Sequence, residues 1–198
     1  EKILLFDGAG HEVTATITFC DKNNVHFELN GEIEAVDREN KKSVFIAQGL
    51  CQNSRMDYVI QKSVELGAEV VAPIITERCQ IRHSNNSHLE KKLERWKLIS
   101  EHASQQCGRN KLAKIMFPQS FNEFVKTIKR DDSINLILNP TSKKRLVEID
   151  LSSERTIVFL IGPEAGFSDS EELLAKKAGF QSVKLGKRIL RTETVAVS

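Results

Sequence analysis

Residues 156–198 read TIVFLIGPEAGFSDSEELLAKKAGFQSVKLGKRILRTETVAVS, and their order of apolar runs, stops and caps leaves little freedom of fold. An apolar, β-branched run over 156–161 halts at Gly162-Pro163, and a short turn carries Glu164, Ala165 and Gly166. Ser168 and Glu171 have the S-x-x-E spacing of a capping box, so a helix starts there, and Gly179 ends it. A second apolar run with Val183 and Leu185 stops at Gly186. This is strand–loop–helix–strand–loop. In open α/β sheets ligands lie where loops leave the carboxyl ends of strands. Gly162, Gly166 and Gly186 allow close backbone approach, whereas Pro163 offers no N–H. Neither G-K-[S/T] nor G-x-G-x-x-G is present, so the stretch is no phosphate loop and no dinucleotide fingerprint. On spacing alone, two tight turns in an α/β domain account for it equally well.

The rest of the chain follows the same alternation. Residues 43–47 predict a buried strand, followed by a helix with Met56, Val59, Ile60, Ser63 and Val64 on one face and Gly67 as its stop. Residues 69–76 predict a second strand, whose end exposes Arg78 and Arg82. Ser87 and Glu90 suggest a capping box for a long helix that carries Leu89, Leu93, Trp96, Ile99, Ala103 and Cys107 and stops at Gly108. A short strand is expected at 115–117, a helix capped by Ser120 and Glu123, and a strand at 134–138 ending in Asn139-Pro140. Strands alternating with helices indicate an α/β domain with a mostly parallel sheet and helices on both faces. Residues 1–30 differ: a short apolar run at 2–6 and two runs that alternate apolar and polar residues read as antiparallel strands, too few to bury a core alone. A domain boundary is expected near residue 40, giving units 1–40 and 41–198.

Charge divides at the same place. Residues 1–40 hold three Lys/Arg against nine Asp/Glu, whereas the remainder holds 26 against 18. The basic part contains the two candidate loops, which suits a polyanionic substrate. No apolar run approaches the ~20 residues of a membrane span. Cys20, Cys51, Cys79 and Cys107 are far apart without C-x-x-C, a pattern that suits reduced thiols in the cytoplasm. The five histidines have no ligand spacing, and no metal is expected.

The blocks I-G-P-E-A-G-F-S (161–168) and L-G-K-R-I-L-R-T-E-T (185–194) resemble the C-terminal signature of the bacterial 16S ribosomal RNA uracil-N3 methyltransferases, members of the SPOUT superfamily. Arg55, K-S-V-E-L-G (62–67), P-I-I-T-E-R (73–78), Arg95-Trp96 and Q-Q-C-G-R (105–109) extend the likeness over roughly residues 40–198, while 1–30 match weakly. Ala165 stands where the family usually has glycine and Val195 where it has alanine. Ala165 disfavours a positive φ at that position.

The resemblance implies a trefoil-knotted fold behind a partial PUA-like β-barrel, S-adenosylmethionine as cofactor, 16S ribosomal RNA or the small ribosomal subunit as partner, and a homodimer. The cofactor loops would be Leu138-Asn139-Pro140; Ile161, Gly162, Pro163, Glu164 and Gly166; and Leu185, Gly186, Ile189, Leu190, Arg191 and Thr192. Arg191 would assist loss of the uracil N3 proton. Glu193 is a candidate base, although a salt bridge or helix-cap role is preferred for it. Arg78, Arg82, Arg109, Lys187 and Arg188 are candidates for RNA phosphates, though each taken singly is more simply a solvated charge. Family members continue beyond the position matched by Ser198, so the helix that closes the knot is expected outside this sequence, as are the first barrel strands. Two other readings stay open: a SPOUT 2′-O-ribose methyltransferase and a non-catalytic RNA- or ribosome-binding protein. A Rossmann-type methyltransferase fits less well, because its glycine-rich loop should follow the first strand, which here ends in Gln48-Gly49-Leu50-Cys51.

Overall fold

Apolar runs bounded by glycine and proline produce two sheets in the computed structural model, which describes residues 1–79, 85–128, 132–153 and 156–198. The first sheet is antiparallel and comprises β1 (Lys2–Phe6), β2 (His11–Cys20), β3 (Val25–Leu29) and β4 (Glu34–Ala35), with β2 pairing to the other three. β4 lies in the charged stretch just before the domain boundary expected near residue 40. Leu4, Phe19, Val25, Phe27, Leu29 and Ile33 of this unit are exposed.

The remaining elements are β5 (Val44–Gly49), α1 (Asn53–Glu65), β6 (Val70–Ile75), α2 (Asn86–Cys107), β7 (Lys114–Ile115), β8 (Gln119–Ser120), α3 (Phe121–Thr127), β9 (Ser133–Leu138), β10 (Thr156–Ile161), α4 (Asp169–Lys177), β11 (Gln181–Val183) and α5 (Thr192–Val195). The second sheet has the order β11-β9-β10-β5-β6-β7, with β8 also on β6, and every pairing is parallel. Parallel strands require crossovers, and helices on both faces make the central strands continuous apolar runs. One core layer packs Ile46, Met56, Val59, Ile60, Val71 and Trp96 beneath α1 and α2. The opposite layer packs Ala72, Ile74, Phe124, Leu160, Phe167 and Phe180 beneath α3 and α4. No described helix is long and apolar enough to cross a membrane.

Local signals account for most boundaries. Both carboxyl-side capping boxes form, Ser120 with Glu123 and Ser168 with Glu171. The buried face of α1 is Met56, Val59, Ile60, Ser63 and Val64, as the periodicity predicts. The long helix departs from expectation at its start. Asn85 is the N-cap and its side chain accepts from the His88 N–H, so Ser87 sits inside α2 and makes no cap. Asn and Ser are equivalent caps by preference, so spacing alone could not choose between them.

The two sheets meet around Arg109, and here an RNA candidate is corrected. Arg109 is only 6% exposed. Its guanidinium donates to both Glu39 carboxylate oxygens and to the carbonyls of Val64 and Ala68, 2.9 and 3.0 Å away. Four of the five guanidinium N–H donors are thus engaged within the protein, and burial keeps the group from presenting itself to a phosphate. Its role is to join the end of α1 and the segment after β4. Nearby, Arg38 holds Glu12 through two bonds of 2.7 and 2.8 Å, and Asn110 donates to the Val36 carbonyl at 2.8 Å. Replacing Arg109 by alanine is expected to destabilise the protein by about 3 kcal/mol, because Glu39 is left partly buried and unpaired. Urea denaturation measures that loss, with no change expected in the salt dependence of RNA binding.

Candidate active site

The carboxyl ends of β9 and β10 and the segment after β11 open on one side of the parallel sheet. Their loops enclose a cleft of about 820 Å³, within the range of small-molecule sites. Leu138, Asn139 and Pro140 line it from β9, and Ile161, Gly162, Pro163, Glu164 and Gly166 from β10. Ile189, Leu190, Arg191 and Thr192 line it from the C-terminal segment. Three loops distant in sequence are thus neighbours, as expected. Arg55, Arg78, Thr141, Ala165, Phe167, Asp169, Glu172 and Val195 complete the wall.

The loop after β10 is tightly tied. The Gly166 N–H donates to the Pro163 carbonyl at 2.9 Å, closing a turn over Glu164 and Ala165. Gly166 has φ +68°, and no non-glycine residue among those described has a positive φ. Ala165 therefore fits the turn without strain, since the left-handed position is the next one. A Cβ on Gly49, at the end of β5, would lie 2.7 Å from the Pro163 nitrogen, so only glycine lets β5 and this loop touch.

Gln48, which sequence reasoning passed over, holds the loop from beneath. It is completely buried, and the two protons of its Nε2 are shared among Thr192 Oγ1 at 2.8 Å, the Gly49 carbonyl at 2.9 Å and the Gly162 carbonyl at 3.2 Å. Thr192 Oγ1 donates in turn to the Gly162 carbonyl at 2.6 Å. A polar residue within an apolar strand was the available signal, because a buried amide demands partners.

Charges are matched across the loops. Glu164 accepts from Arg55 Nη1 at 2.9 Å and from the Gln52 N–H at 3.0 Å. Arg55 Nε also lies 3.7 Å from Glu193. Glu193 does not line the cleft; its carboxylate faces Arg55 beneath it, so the salt-bridge role replaces its candidacy as a base. Arg78 donates to the Phe167 carbonyl at 2.8 Å and to that of Ala165 at 3.3 Å, lacing the end of β6 to the same loop. Asn139 donates to Glu172 at 2.9 Å and accepts from the Thr141 N–H at 2.9 Å.

Other expected residues lie elsewhere. Leu185 and Gly186 do not line the cleft. Leu185 turns to a neighbouring apolar cavity of about 270 Å³, beside Val44, Ile161 and Val195. The strand end rotates its side chain toward the core, and sequence alternation alone could not say which face that was. Ile189 is on the rim but 83% exposed, so it is neither core nor an enclosed wall. Lys187 and Arg188 are exposed beyond the cleft. Arg82 lies outside the described residues.

Cys51 sits directly behind the Arg55–Glu164 pair. Burial, with the Glu164 and Glu193 carboxylates adding repulsion, pushes its thiol from 9.0 up to about 12. The folded state therefore keeps this thiol protonated, while the unfolded chain ionises it near pH 9. Its contribution is fully present below that pH and is lost as pH rises toward 12. Cys51→Ala should flatten the alkaline fall in stability across that window, read by denaturation at several pH values. Iodoacetamide at pH 8 should modify the exposed Cys20 and Cys107 and spare Cys51, as read by peptide mass spectrometry. Thr192→Val keeps the shape but removes the hydroxyl between Gln48 and Gly162. It should cost about 1–2 kcal/mol in chemical denaturation.

A sequence profile described as an RNA methyltransferase domain matches residues 38–198. The ribosomal RNA small subunit methyltransferase E of Mesomycoplasma hyopneumoniae is 37% identical over 161 residues, covering 81% of this chain and 69% of that protein. The Synechocystis protein of the same name is 34% identical, covering 82% of this chain and 54% of its own length. The chain thus spans between about half and two thirds of these two relatives. Among solved structures, a Legionella pneumophila methyltransferase in complex with S-adenosylmethionine aligns with TM-score 0.92 and 36% identity, covering 100% of this chain and 79% of its own. A ribosomal RNA small subunit methyltransferase E from Neisseria gonorrhoeae, also bound to S-adenosylmethionine, aligns with TM-score 0.90 and 36% identity over the same shares. The chain therefore belongs to the RNA methyltransferase domain family, among the small-subunit ribosomal RNA methyltransferases E.

Proposed function

We propose that this protein binds S-adenosylmethionine in the cleft and transfers its methyl group to N3 of a uridine in 16S ribosomal RNA. The observation that carries the reading is the convergence of the 138–140, 161–166 and 189–192 loops on a single cleft. The residues present fit such a cofactor. Leu138, Pro140, Ile161 and Leu190 offer flat apolar walls for a purine. Carboxylates (Glu164, Asp169, Glu172) and guanidiniums (Arg55, Arg78, Arg191) share the rim, which suits a ligand carrying both cations and a carboxylate.

When bound, the cofactor supplies a methyl group already activated on a sulfonium. The protein's task is to orient and to exclude water. The apolar walls keep solvent from the methyl, and the Gln48–Thr192–Gly162 bonds hold two of the loops in one arrangement. Uracil N3 carries a proton at neutral pH and is a poor nucleophile until it leaves. Arg191, exposed on the rim, is placed to stabilise the N3 anion as that proton departs. Glu193 is not assigned the proton, because it is paired with Arg55. The target base must be unpaired or flipped from a stack to enter.

A trefoil knot, a PUA-like N-terminal unit, a homodimer and a cytoplasmic location belong to the same reading. Backbone bonds support the knot. β11 and its extension are flanked on one side by Asn139, whose N–H donates to the Val183 carbonyl. On the other side Leu146 donates to the Lys184 carbonyl, each at 2.9 Å. The chain then returns to Gly162 through Thr192. The four-stranded antiparallel sheet with its exposed apolar side chains supports a partial barrel. Four free cysteines suit a reducing compartment.

Calorimetric titration with S-adenosylmethionine tests the cofactor site. Wild-type protein should bind at micromolar concentration. Gly162→Val should abolish binding, since even its Cβ would start 3.2 Å from Gly166 Cα. Arg191→Ala should keep the cofactor's affinity within a few-fold and lower kcat about a hundredfold. Small subunits incubated with labelled cofactor and digested to nucleosides should yield 3-methyluridine. A 2′-O-methylated nucleoside would move the acceptor atom, and no label at all would refute the enzyme.

A further inference from the structure

The backbone pairing beside β11 brings together two stretches that sequence reading kept apart. Arg145 and Lys184 form a parallel bridge, and the Lys184 N–H donates to the Lys144 carbonyl at 2.9 Å. Ser142 Oγ donates to the Ser182 carbonyl at 2.8 Å along the same seam. Six cations are thereby gathered on one edge of the parallel sheet: Lys143, Lys144, Arg145, Lys184, Lys187 and Arg188. All but Lys184 are exposed, and Lys184 is half-buried.

What sets these cations apart is that they are gathered on one edge; like other exposed lysines such as Lys91 and Lys97, they make no ion pair among the described residues. Among the described residues, Arg38, Arg55, Lys62, Arg95 and Arg109 each have a carboxylate within ion-pair distance, and none of the six does. Lys144 reaches only Gln181, at 3.4 Å. The exposed carboxylates that follow this stretch, Glu148 and Asp150, accept from the backbone N–H groups of Arg145 at 3.0 Å and Ser152 at 2.9 Å and form no ion pair with the six. Both stretches run directly into the cleft, one through Asn139–Thr141 and the other through Ile189–Thr192. The cations therefore form a strip that ends at the cleft mouth.

We propose that this strip is the docking track for the phosphodiester backbone of the substrate RNA, with Lys143, Lys144 and Arg145 as contacts in addition to Lys187 and Arg188. The inference rests on the RNA methyltransferase reading and adds to it the surface that grips the RNA. Unpaired, hydrated cations in a row favour a polyanion, because each phosphate neutralised releases a condensed counterion. A second copy of the chain is the poorer occupant: a two-fold contact through this strip would set its six cations against themselves.

The test compares wild type with the triple variant Lys143→Gln/Lys144→Gln/Lys187→Gln and with a charge-matched control, Lys91→Gln/Lys97→Gln/Lys126→Gln. The control residues are exposed on α2 and α3, away from this edge. Binding of a fluorescent 16S ribosomal RNA transcript is measured across a range of salt concentrations. S-adenosylmethionine affinity is measured by calorimetry and oligomeric state by light scattering. The triple variant should lose about two to three units of the slope of log K against log salt and about tenfold or more in affinity at moderate salt. Cofactor affinity and oligomeric state should be unchanged, and the control should retain the wild-type slope. An unchanged slope in the triple variant, or an equal loss in the control, overturns the proposal. A triple variant that changes only oligomeric state also overturns it, in favour of an interface between copies. A wild-type protein that binds no S-adenosylmethionine overturns the methyltransferase reading instead, and the slope comparison is read independently of it.

Discussion

A single buried amide holds the working end of this molecule together. Gln48 is completely enclosed at the carboxyl end of β5, and its Nε2 reaches both Gly162 and Thr192, residues 114 and 144 positions away. In a low-dielectric interior unpaired amide protons would be costly, so the two loops that accept them are drawn together, although the amide's own Oε1 has no partner among the described residues. The Thr192 hydroxyl closes the triangle on the same carbonyl. Two of the three walls of the cleft are thereby located by hydrogen bonds underneath it, leaving its floor and sides free to face a ligand.

Charge is organised in the same spirit. Where cations serve the fold, they are matched: Arg109 with Glu39, Arg38 with Glu12, Arg95 with Asp57. Arg55 stands between two carboxylates, Glu164 of the loop after β10 and Glu193 of α5, and so extends the work of Gln48 at the next layer out. The cations of the 143–145 and 184–188 stretches have no such matches among the described residues. Paired charges at the cleft's base and unpaired ones at its mouth separate the parts that hold shape from the parts free to meet a solvated anion.

Much of this was legible in the chain. The apolar face of α1, the two capping boxes at Ser120 and Ser168 and the strand 156–161 follow from local patterns that the packing reinforced, whereas the three cleft loops were expected from the family resemblance. Failures occurred where local chemistry was degenerate. Asn85 and Ser87 are equally good caps two residues apart, and Asn85 serves. Arg109 and Arg188 look alike in sequence, yet one is buried among carbonyls and the other is solvated. Leu185 and Leu190 occupy the same loop, but only Leu190 faces the cleft.

The sequence by itself determined the alternation of strands and helices and the stops and caps, because each depends on contacts within a few residues, and it carried the family signature in its residue identities. Tertiary structure alone decided which cations are paired, that Gln48 bridges Gly162 to Thr192, and that residues 143–145 lie beside 184–188. Those outcomes depend on the order in which parallel strands assemble: β11 enters next to β9 rather than next to β10. Strand order is set by how the whole apolar surface is buried, a sum over the core that no short stretch of chain contains.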